Sequence, residues 1–574
     1  MKVKKTTLAH HYAGLEAIDI FLADQLLESL NSSNQVLQHL VMALSQSLRS
    51  GHTCLPLAEI THQTYWARAD ETLNKVAHGY TFGTLESLQD SLNSVAVLPI
   101  DNAPLVFEDD RLYLRRYWQY EQDVAKIFNQ RMQPTRLDGA QKEQVETLLA
   151  KLFPKTKANH KNWQEEAVKD ALERQISVIS GGPGTGKTYT VARLLIALQA
   201  INEKPLNMAM VAPTGKAKQR LLESILAAKT QLLAQGIDRE LLHGLPDNAH
   251  TLHGLLGMRP NSHTPKFHQD NPLPLDLLLV DEVSMVDLPM MAKLLAAINP
   301  HCKLVMVGDA QQLPSVAVGS ILADMPERAM SYLHKSHRFD GEGGIGLLAQ
   351  KVRDNNADES YQLLKSHHDL KLVGEEDFDS FLENVCQQYL TPMIKASSLE
   401  DAFVCLNQFR VLAATRQGEL GVEGLNHRIE GILSKRLPQV RLGQNYQGKP
   451  VMVTKNHHGL GLFNGDIGIM WPQEDGQLNV CFSQNNQVKK YHVGLLQDLE
   501  TVYAMTIHKT QGSEFDHVAL IVPANAQQLL SSQLLYTAIT RAKTKCSVYV
   551  SDTLWRQGVT CKAKRFSGLK ALLA

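Results

Sequence analysis

The chain has 574 residues, 44% hydrophobic and 20% charged, with a formal net charge of −1. These are the proportions of a soluble globular protein of roughly three or four domains, and they exclude a global basic field, so any nucleic-acid contact must be a local groove. The seven cysteines include no C-x-x-C pair, which argues against a zinc site or disulfide framework and for a reducing compartment. The basic start Met1-Lys2-Val3-Lys4-Lys5-Thr6-Thr7 leads into no apolar run, and no stretch of 18 apolar residues follows elsewhere, so a cytoplasmic protein is expected.

In chain order, residues 1–130 read as a mainly helical segment without a nucleotide motif. Leu37, Leu40, Val41, Leu44 and Leu48 form one helical stripe ending before Gly51. The run from Leu112 to Trp118 alternates like a strand, with Leu112, Leu114 and Trp118 on one face and Tyr113, Arg115 and Tyr117 on the other. From about 160 to 340, apolar strand candidates at 176–180, 208–212, 277–281 and 303–307 alternate with helical patterns, which predicts a parallel sheet covered by helices. A second αβ region starts near 345 and includes strands beginning at Phe409, Val518 and Cys546. Between about 440 and 500 the texture changes to short strands (451–454, 466–471, 478–482, 489–493) punctuated by Gly, Asn and Pro, which predicts a small β-barrel inserted in that region.

The strongest chemical signal is Gly181-Gly182-Pro183-Gly184-Thr185-Gly186-Lys187-Thr188, which fits G-x-x-x-x-G-K-[ST]. It lies between the apolar run Ile176-Ser177-Val178-Ile179 and a helical stripe at Val191, Leu194, Leu195 and Leu198. In that setting the glycines turn backbone N–H groups onto phosphates, Lys187 reaches the β/γ-phosphates and the Thr188 hydroxyl holds Mg²⁺. The predicted ligand is a nucleoside triphosphate.

Leu277-Leu278-Leu279-Val280 then ends in Asp281-Glu282. One carboxylate suits the orientation of Mg²⁺, and the next suits accepting a proton from the attacking water. A further strand exits through Gly308-Asp309-Ala310-Gln311-Gln312, where Gln312 can sense a γ-phosphate or position water. Arg338 and Arg541 become phosphate sensors if the fold turns them onto the nucleotide.

Taken together these segments resemble the ordered motifs of superfamily 1 helicases. Gln164, in Asn162-Trp163-Gln164, resembles the glutamine that reads adenine. Gln511 and Gly512 belong to a segment implied to border the nucleotide. The segments around Thr214 and Lys216, Thr251 and His253, Thr454 and Asn456, and Thr506 and His508 resemble DNA contacts. The pattern departs from the family at Gly254, where an arginine is expected.

The resemblance narrows to the RecD family, the α subunits of exodeoxyribonuclease V (RecBCD), through three stretches. These are Gly51-His52-Thr53-Cys54-Leu55-Pro56-Leu57, the run from Arg111 to Gln122, and Thr506-Ile507-His508-Lys509-Thr510-Gln511-Gly512-Ser513-Glu514-Phe515-Asp516. It implies an α/β fold with an N-terminal helical partner-docking domain (1–130) and two RecA-like motor domains (131–344 and 345–574). An SH3-like insertion at 438–500 is implied in the second motor. It further implies an ATP- and Mg²⁺-dependent 5′-to-3′ DNA helicase, acting on DNA ends with RecB-like and RecC-like subunits in double-strand-break repair by recombination. No nuclease site of its own is expected, since 33 residues follow Arg541.

Overall fold

The stripe at Leu37, Leu40, Val41, Leu44 and Leu48 becomes the buried face of a helix in the computed structural model. The model describes residues 12–70, 75–77, 79–95, 97, 102–134, 137–153, 162–259, 262, 264–336, 343–484 and 487–573. That helix, α2 (Gln35–Arg49), is capped by the Asn34 carboxamide and packs against α1 (Ala17–Ser29). The rest of the N-terminal segment is less helical than expected. Strands β1 (Leu55–Pro56), β2 (Leu105–Glu108) and β3 (Arg111–Leu114) form an antiparallel sheet in the order β1-β3-β2, and two small hairpins lie between Thr64 and Thr81.

The strand expected through Trp118 stops at Leu114, and Arg115 opens helix α3 (Arg115–Arg131). Period-two alternation at 112–118 was local. Val124, Ala125, Phe128 and Arg131 bury one face at helical spacing, and over the longer window that period wins. Trp118 caps the junction by donating its indole N–H to Glu108 at 2.7 Å. Val124, Ala125 and Phe128 also join the core of the first parallel sheet, so α3 links the N-terminal segment to that sheet.

Beyond α4 (Gly139–Leu152) and α5 (Trp163–Leu172), strands β4 (Ile176–Gly181), β5 (Met208–Ala212), β6 (His250–Thr251), β7 (Leu277–Val280), β8 (Lys303–Gly308) and β9 (Met330–Leu333) form one parallel sheet. Its order is β6-β5-β7-β8-β4-β9. Its interior strands are buried along almost their whole length because helices cover both faces. Those helices are α6 (Lys187–Ala200), α7 (Gly215–Ala234) and α8 (Leu288–Ala297), together with α3, α4 and α5.

Helices α9 (Gly344–Arg353) and α10 (Ala357–Ser366) lead into a second parallel sheet. It contains β10 (Leu370–Val373), β11 (Phe409–Ala413), β17 (Ala504–Thr506), β18 (Phe515–Ile521) and β19 (Ala542–Tyr549), ordered β10-β19-β18-β11-β17. Helix α11 (Val422–Arg436) follows β11, α12 (Ser532–Ile539) precedes β19, and α13 (Asp552–Thr560) follows it. Between α11 and β17 lie β12 (Pro450–Val453), β13 (Ile467–Pro472), β14 (Leu478–Gln484), β15 (Gln487–His492) and β16 (Leu499–Thr501). They form a five-stranded antiparallel sheet in the order β15-β14-β13-β12-β16, around Val451, Val453, Leu462, Met470, Val480 and Phe482. Among the described residues no helix is long and apolar enough to cross a membrane, and all seven cysteines are free thiols.

After α13 the chain returns to the N-terminal sheet. Thr53 N–H donates to Phe566 O at 2.9 Å, and Arg565 donates to Ser50 O and Ser315 O. The buried Glu121 carboxylate accepts from Thr53, Ser567 and the Gly568 N–H, while Leu569 and Leu573 complete the first core. Asp324 faces this junction; burial pushes its carboxyl up to about 7, and the Glu121 charge adds to the shift. The unfolded chain releases that proton near pH 4. Between about pH 4 and 7 the native state therefore holds a proton that the unfolded state lacks, and stability falls as pH rises. Asp324→Asn should remove this fall, so that the stability of the variant relative to the parent rises from pH 5 to pH 8 in urea titrations. A difference that stays flat with pH would contradict the assignment.

Candidate nucleotide site

The strand–loop–helix pattern folds as such: β4 ends at Gly181 and α6 begins at Lys187. Gly184 and Gly186 take φ of 75° and 81°, the left-handed region that lets the loop curl without a side chain in the way. Thr185 Oγ1 donates to Gly182 O at 2.8 Å and closes the curl. Lys187 lies back along the loop, donating to Gly181 O at 2.7 Å and Gly182 O at 3.2 Å. Thr188 follows it on the first turn of α6, half-buried. Gln164, at the start of α5, donates to Thr185 O at 3.0 Å and lies over Gly186, where a Cβ would come within 2.3 Å of its amide nitrogen.

Sheet order brings the acids to the same edge. Strand β8 lies beside β4 and β7 lies next beyond it, all parallel, so the residues leaving their carboxyl ends share the edge that carries the loop. Burial pushes Asp281 up to about 7; Glu282 adds to this, and the Lys187 ammonium opposes it. A carboxyl held in this way gains from a cation, and with the Thr188 hydroxyl it forms an oxygen donor pair suited to Mg²⁺. Glu282 sits at φ 52°, ψ 44°, a left-handed conformation costly for a side-chain-bearing residue.

Asp309, also raised by burial and opposed by Lys187, accepts from the Gln311 N–H and from Gln312 Nε2 at 3.1 Å. Gln312 is thereby turned onto the same edge.

The second sheet supplies the facing wall. Arg541 is buried, held by Thr537 O at 3.0 Å and Ser513 O at 3.2 Å, and the Glu282, Glu514 and Asp309 charges all act on it. Gln511 Nε2 donates to Leu313 O at 2.8 Å, joining the two sheets, and Gly512 takes φ 70° beside Ala217. Arg338 lies outside the described residues.

Sequence reasoning passed over two neighbours. The Tyr536 hydroxyl reaches Asp309, and Arg353, at the end of α9, lines a cavity of about 590 Å³ together with Gly182, Pro183, Thr185, Ser336 and Tyr536. Tyr536 had a faint signal, five positions before Arg541. Arg353 had none, because only tertiary packing brings it to the loop.

The expected DNA-contacting residues divide between two places. Thr214 caps α7 by accepting from the Ala217 N–H, and Thr251 accepts from the Gly254 N–H at 3.1 Å, so the backbone of Gly254 is engaged while its missing side chain leaves the position bare. The charge of His253 acts on Asp287, the residue that caps α8. Lys216 borders a cavity of about 270 Å³ with Arg220, Arg410 and Asp466, and desolvation plus the two guanidinium groups pushes it down to about 7.

Thr506 ends β17, His508 is exposed in the turn that follows, Thr454 bonds to Asp498 O, and Asn456 accepts from the Asn464 N–H. The loop between β12 and β13 approaches the first sheet at α7, where the Phe463 ring packs against Gly215 and Lys218 lies over it.

If the fold imposes the left-handed φ at Glu282, Glu282→Gly should be more stable than Glu282→Ala by about 1 kcal/mol, reversing the usual order for these residues. Chemical denaturation of the two variants measures this, and an Ala variant at least as stable as the Gly variant would refute it.

Family models match three parts of the chain. They are the N-terminal domain of RecBCD enzyme subunit RecD over residues 12–113, an AAA domain over 164–318, and a UvrD-like helicase C-terminal domain over 501–549. The RecBCD enzyme subunit RecD of Mycolicibacterium smegmatis is 35% identical over 97% of this chain and 97% of its own length. That of Haemophilus influenzae is 32% identical over 90% and 87%. Among solved structures, Pif1 helicase from Bacteroides in complex with ADP-AlF3 and single-stranded DNA covers 69% of this chain and 94% of its own, at 17% identity and a TM-score of 0.39.

Proposed function

The chain belongs to the RecD family of RecBCD enzyme subunits, and on that premise we propose how it works as an ATP-dependent DNA helicase subunit. The observation that carries the proposal is that the two parallel sheets meet beside the phosphate loop. Lys187, Thr188, Asp281, Glu282 and Gln312 come from one, and Gln511, Tyr536 and Arg541 from the other. A nucleotide bound there is gripped from both sides, so its hydrolysis alters the spacing of the sheets.

In this reading the 182–186 loop and Lys187 bind the phosphates of ATP, the ammonium exchanging the Gly181 and Gly182 carbonyls for phosphate oxygens. Gln164 reads the base. Thr188 and Asp281 would hold Mg²⁺, which neutralises charge on the β- and γ-phosphates. Glu282 takes the proton of the attacking water, and Gln312, Arg338 and Arg541 answer to the γ-phosphate. Gln511 and Gly512 border the nucleotide and relay its state.

Thr214, Lys216, Thr251 and His253 on one motor grip single-stranded DNA alternately with Thr454, Asn456, Thr506 and His508 on the other, chiefly through its backbone and by stacking. The direction is 5′ to 3′. The units are two RecA-like motors (131–344 and 345–574), the second interrupted by an SH3-like barrel (438–500); the two all-parallel sheets and the antiparallel insertion support this. Residues 1–130 dock the subunit into a cytoplasmic heterotrimer with RecB-like and RecC-like partners that processes double-strand ends.

Lys187→Gln should lower DNA-stimulated ATP hydrolysis by about 10³-fold, because a transition-state charge contact is lost, while Glu282→Gln should retain nucleotide binding without turnover. Near-normal hydrolysis by Lys187→Gln would sink the site.

The docking role has its own test. Ile18 and Phe21 stand 52% and 56% exposed, one turn apart on α1, an apolar pair suited to a protein partner. The double substitution Ile18→Asp, Phe21→Asp should abolish co-purification with the RecC-like subunit and leave DNA-stimulated hydrolysis by the chain intact. Retained assembly would move the docking surface elsewhere.

A further inference from the structure

Helix α12 crosses from the second sheet to the loop that leaves β8, and two adjacent side chains make the crossing. Tyr536 Oη donates to Asp309 Oδ2 at 3.1 Å, and the Leu313 N–H donates to Thr537 Oγ1 at 2.9 Å. Both ends of the first bond are shielded from water, with Asp309 2% and Tyr536 6% exposed. A hydrogen bond from a phenol to a buried carboxylate is stronger than one between neutral groups, and its removal leaves the acid short of a donor.

The same hydroxyl touches the phosphate loop. A Cβ placed on Gly182 would lie 2.6 Å from it, so only glycine admits the tyrosine at this point. The oxygen of Asp309 that accepts from Tyr536 also accepts from Gln312 Nε2, so one carboxylate oxygen joins the γ-phosphate-sensing glutamine to the second sheet. Four residues further on, Arg541 Nε is held by Thr537 O. The residue docked on Leu313 is therefore the one that aims the guanidinium.

We propose that Tyr536 is a positioning residue for ATP hydrolysis, its hydroxyl on Asp309 beside the phosphate loop setting the docking of α12 from which Arg541 reaches the transferring phosphate. This rests on the reading of the chain as an ATP-driven motor. Binding of the nucleotide itself falls to the loop, Lys187 and Gln164, so loss of the hydroxyl should tell on turnover rather than affinity.

The test uses the full chain, with single-stranded DNA and ATP, and compares Tyr536→Phe, Arg541→Ala and the double variant against the parent and Lys187→Gln. Tyr536→Phe should lower kcat by about 10-fold to 100-fold and leave KM for ATP within about threefold. In the Arg541→Ala background the same change should cost less than about threefold, because no guanidinium remains to be positioned.

Unchanged turnover in Tyr536→Phe, a rise in KM with kcat preserved, or losses that multiply in the double variant would each overturn the inference. Failure of Tyr536→Phe to bind a fluorescent ADP analogue would also overturn it, by assigning the tyrosine to the structure of the phosphate loop. If the parent hydrolyses no faster than Lys187→Gln, the motor reading itself fails, and this inference with it.

Discussion

One ammonium balances the nucleotide site. Lys187 is the cation opposed to the raised Asp281 and Asp309 carboxyls, and it is steadied by two carbonyls of its own loop. Desolvation works against both acids, so each is kept ionisable by the same positive charge. Sheet order underlies this arrangement: β4, β8 and β7 are consecutive and parallel, so the segments that carry Asp309 and Asp281 leave from the same edge as the loop. A bound triphosphate would draw the ammonium away from the acids and at the same time create a need for metal. Phosphate, lysine and a divalent cation would then enter and leave as one charge-compensated set.

Across from that set, the contacts between the two sheets are of two kinds. Those near the loop are buried and directional: Tyr536 on Asp309, Leu313 on Thr537, Gln511 on Leu313. Farther out, Arg220 and Glu514 approach only to 3.9 Å with the arginine 40% exposed, a contact that water and salt weaken. The stiff part of the interface is therefore the part beside the phosphate loop, and the compliant part lies toward the cavity bordered by Lys216. Phe463 against Gly215 ties the antiparallel insertion to the helix that carries Lys216, so a change of angle between the sheets also moves the insertion.

Much of this was legible in the chain because the signals were local. The phosphate loop needs glycines at fixed spacing between a strand and a helix, and Asp281-Glu282 directly follows an apolar strand. The change to short strands between 440 and 500 marked the antiparallel sheet. What escaped was set by tertiary contact. Period-two alternation at Leu112–Trp118 was genuine but short, and the apolar face of α3 overrode it. Arg353 and Tyr536 lie on ordinary helices, and only docking of the second sheet carries them to Gly182 and Asp309. The return of the last segment to the N-terminal sheet left no periodic trace, since it is made of scattered hydrogen bonds to backbone carbonyls and to the Glu121 carboxylate, with two leucines reaching the first core.

That return has a consequence for how the molecule is made. Thr53 and Phe566 are separated by 513 positions, and Arg565 and Ser50 by 515. On the ribosome, residues 50–53 emerge long before their partners exist, so the N-terminal sheet spends most of synthesis with one edge of its junction open. Contacts of such sequence separation form late and slowly, after both motor sheets have already organised the chain between them. The docking of Arg565, Ser567 and Gly568 is then a late step of folding, and a chain stalled before it would leave the Glu121 carboxylate without its donors from Ser567 and Gly568.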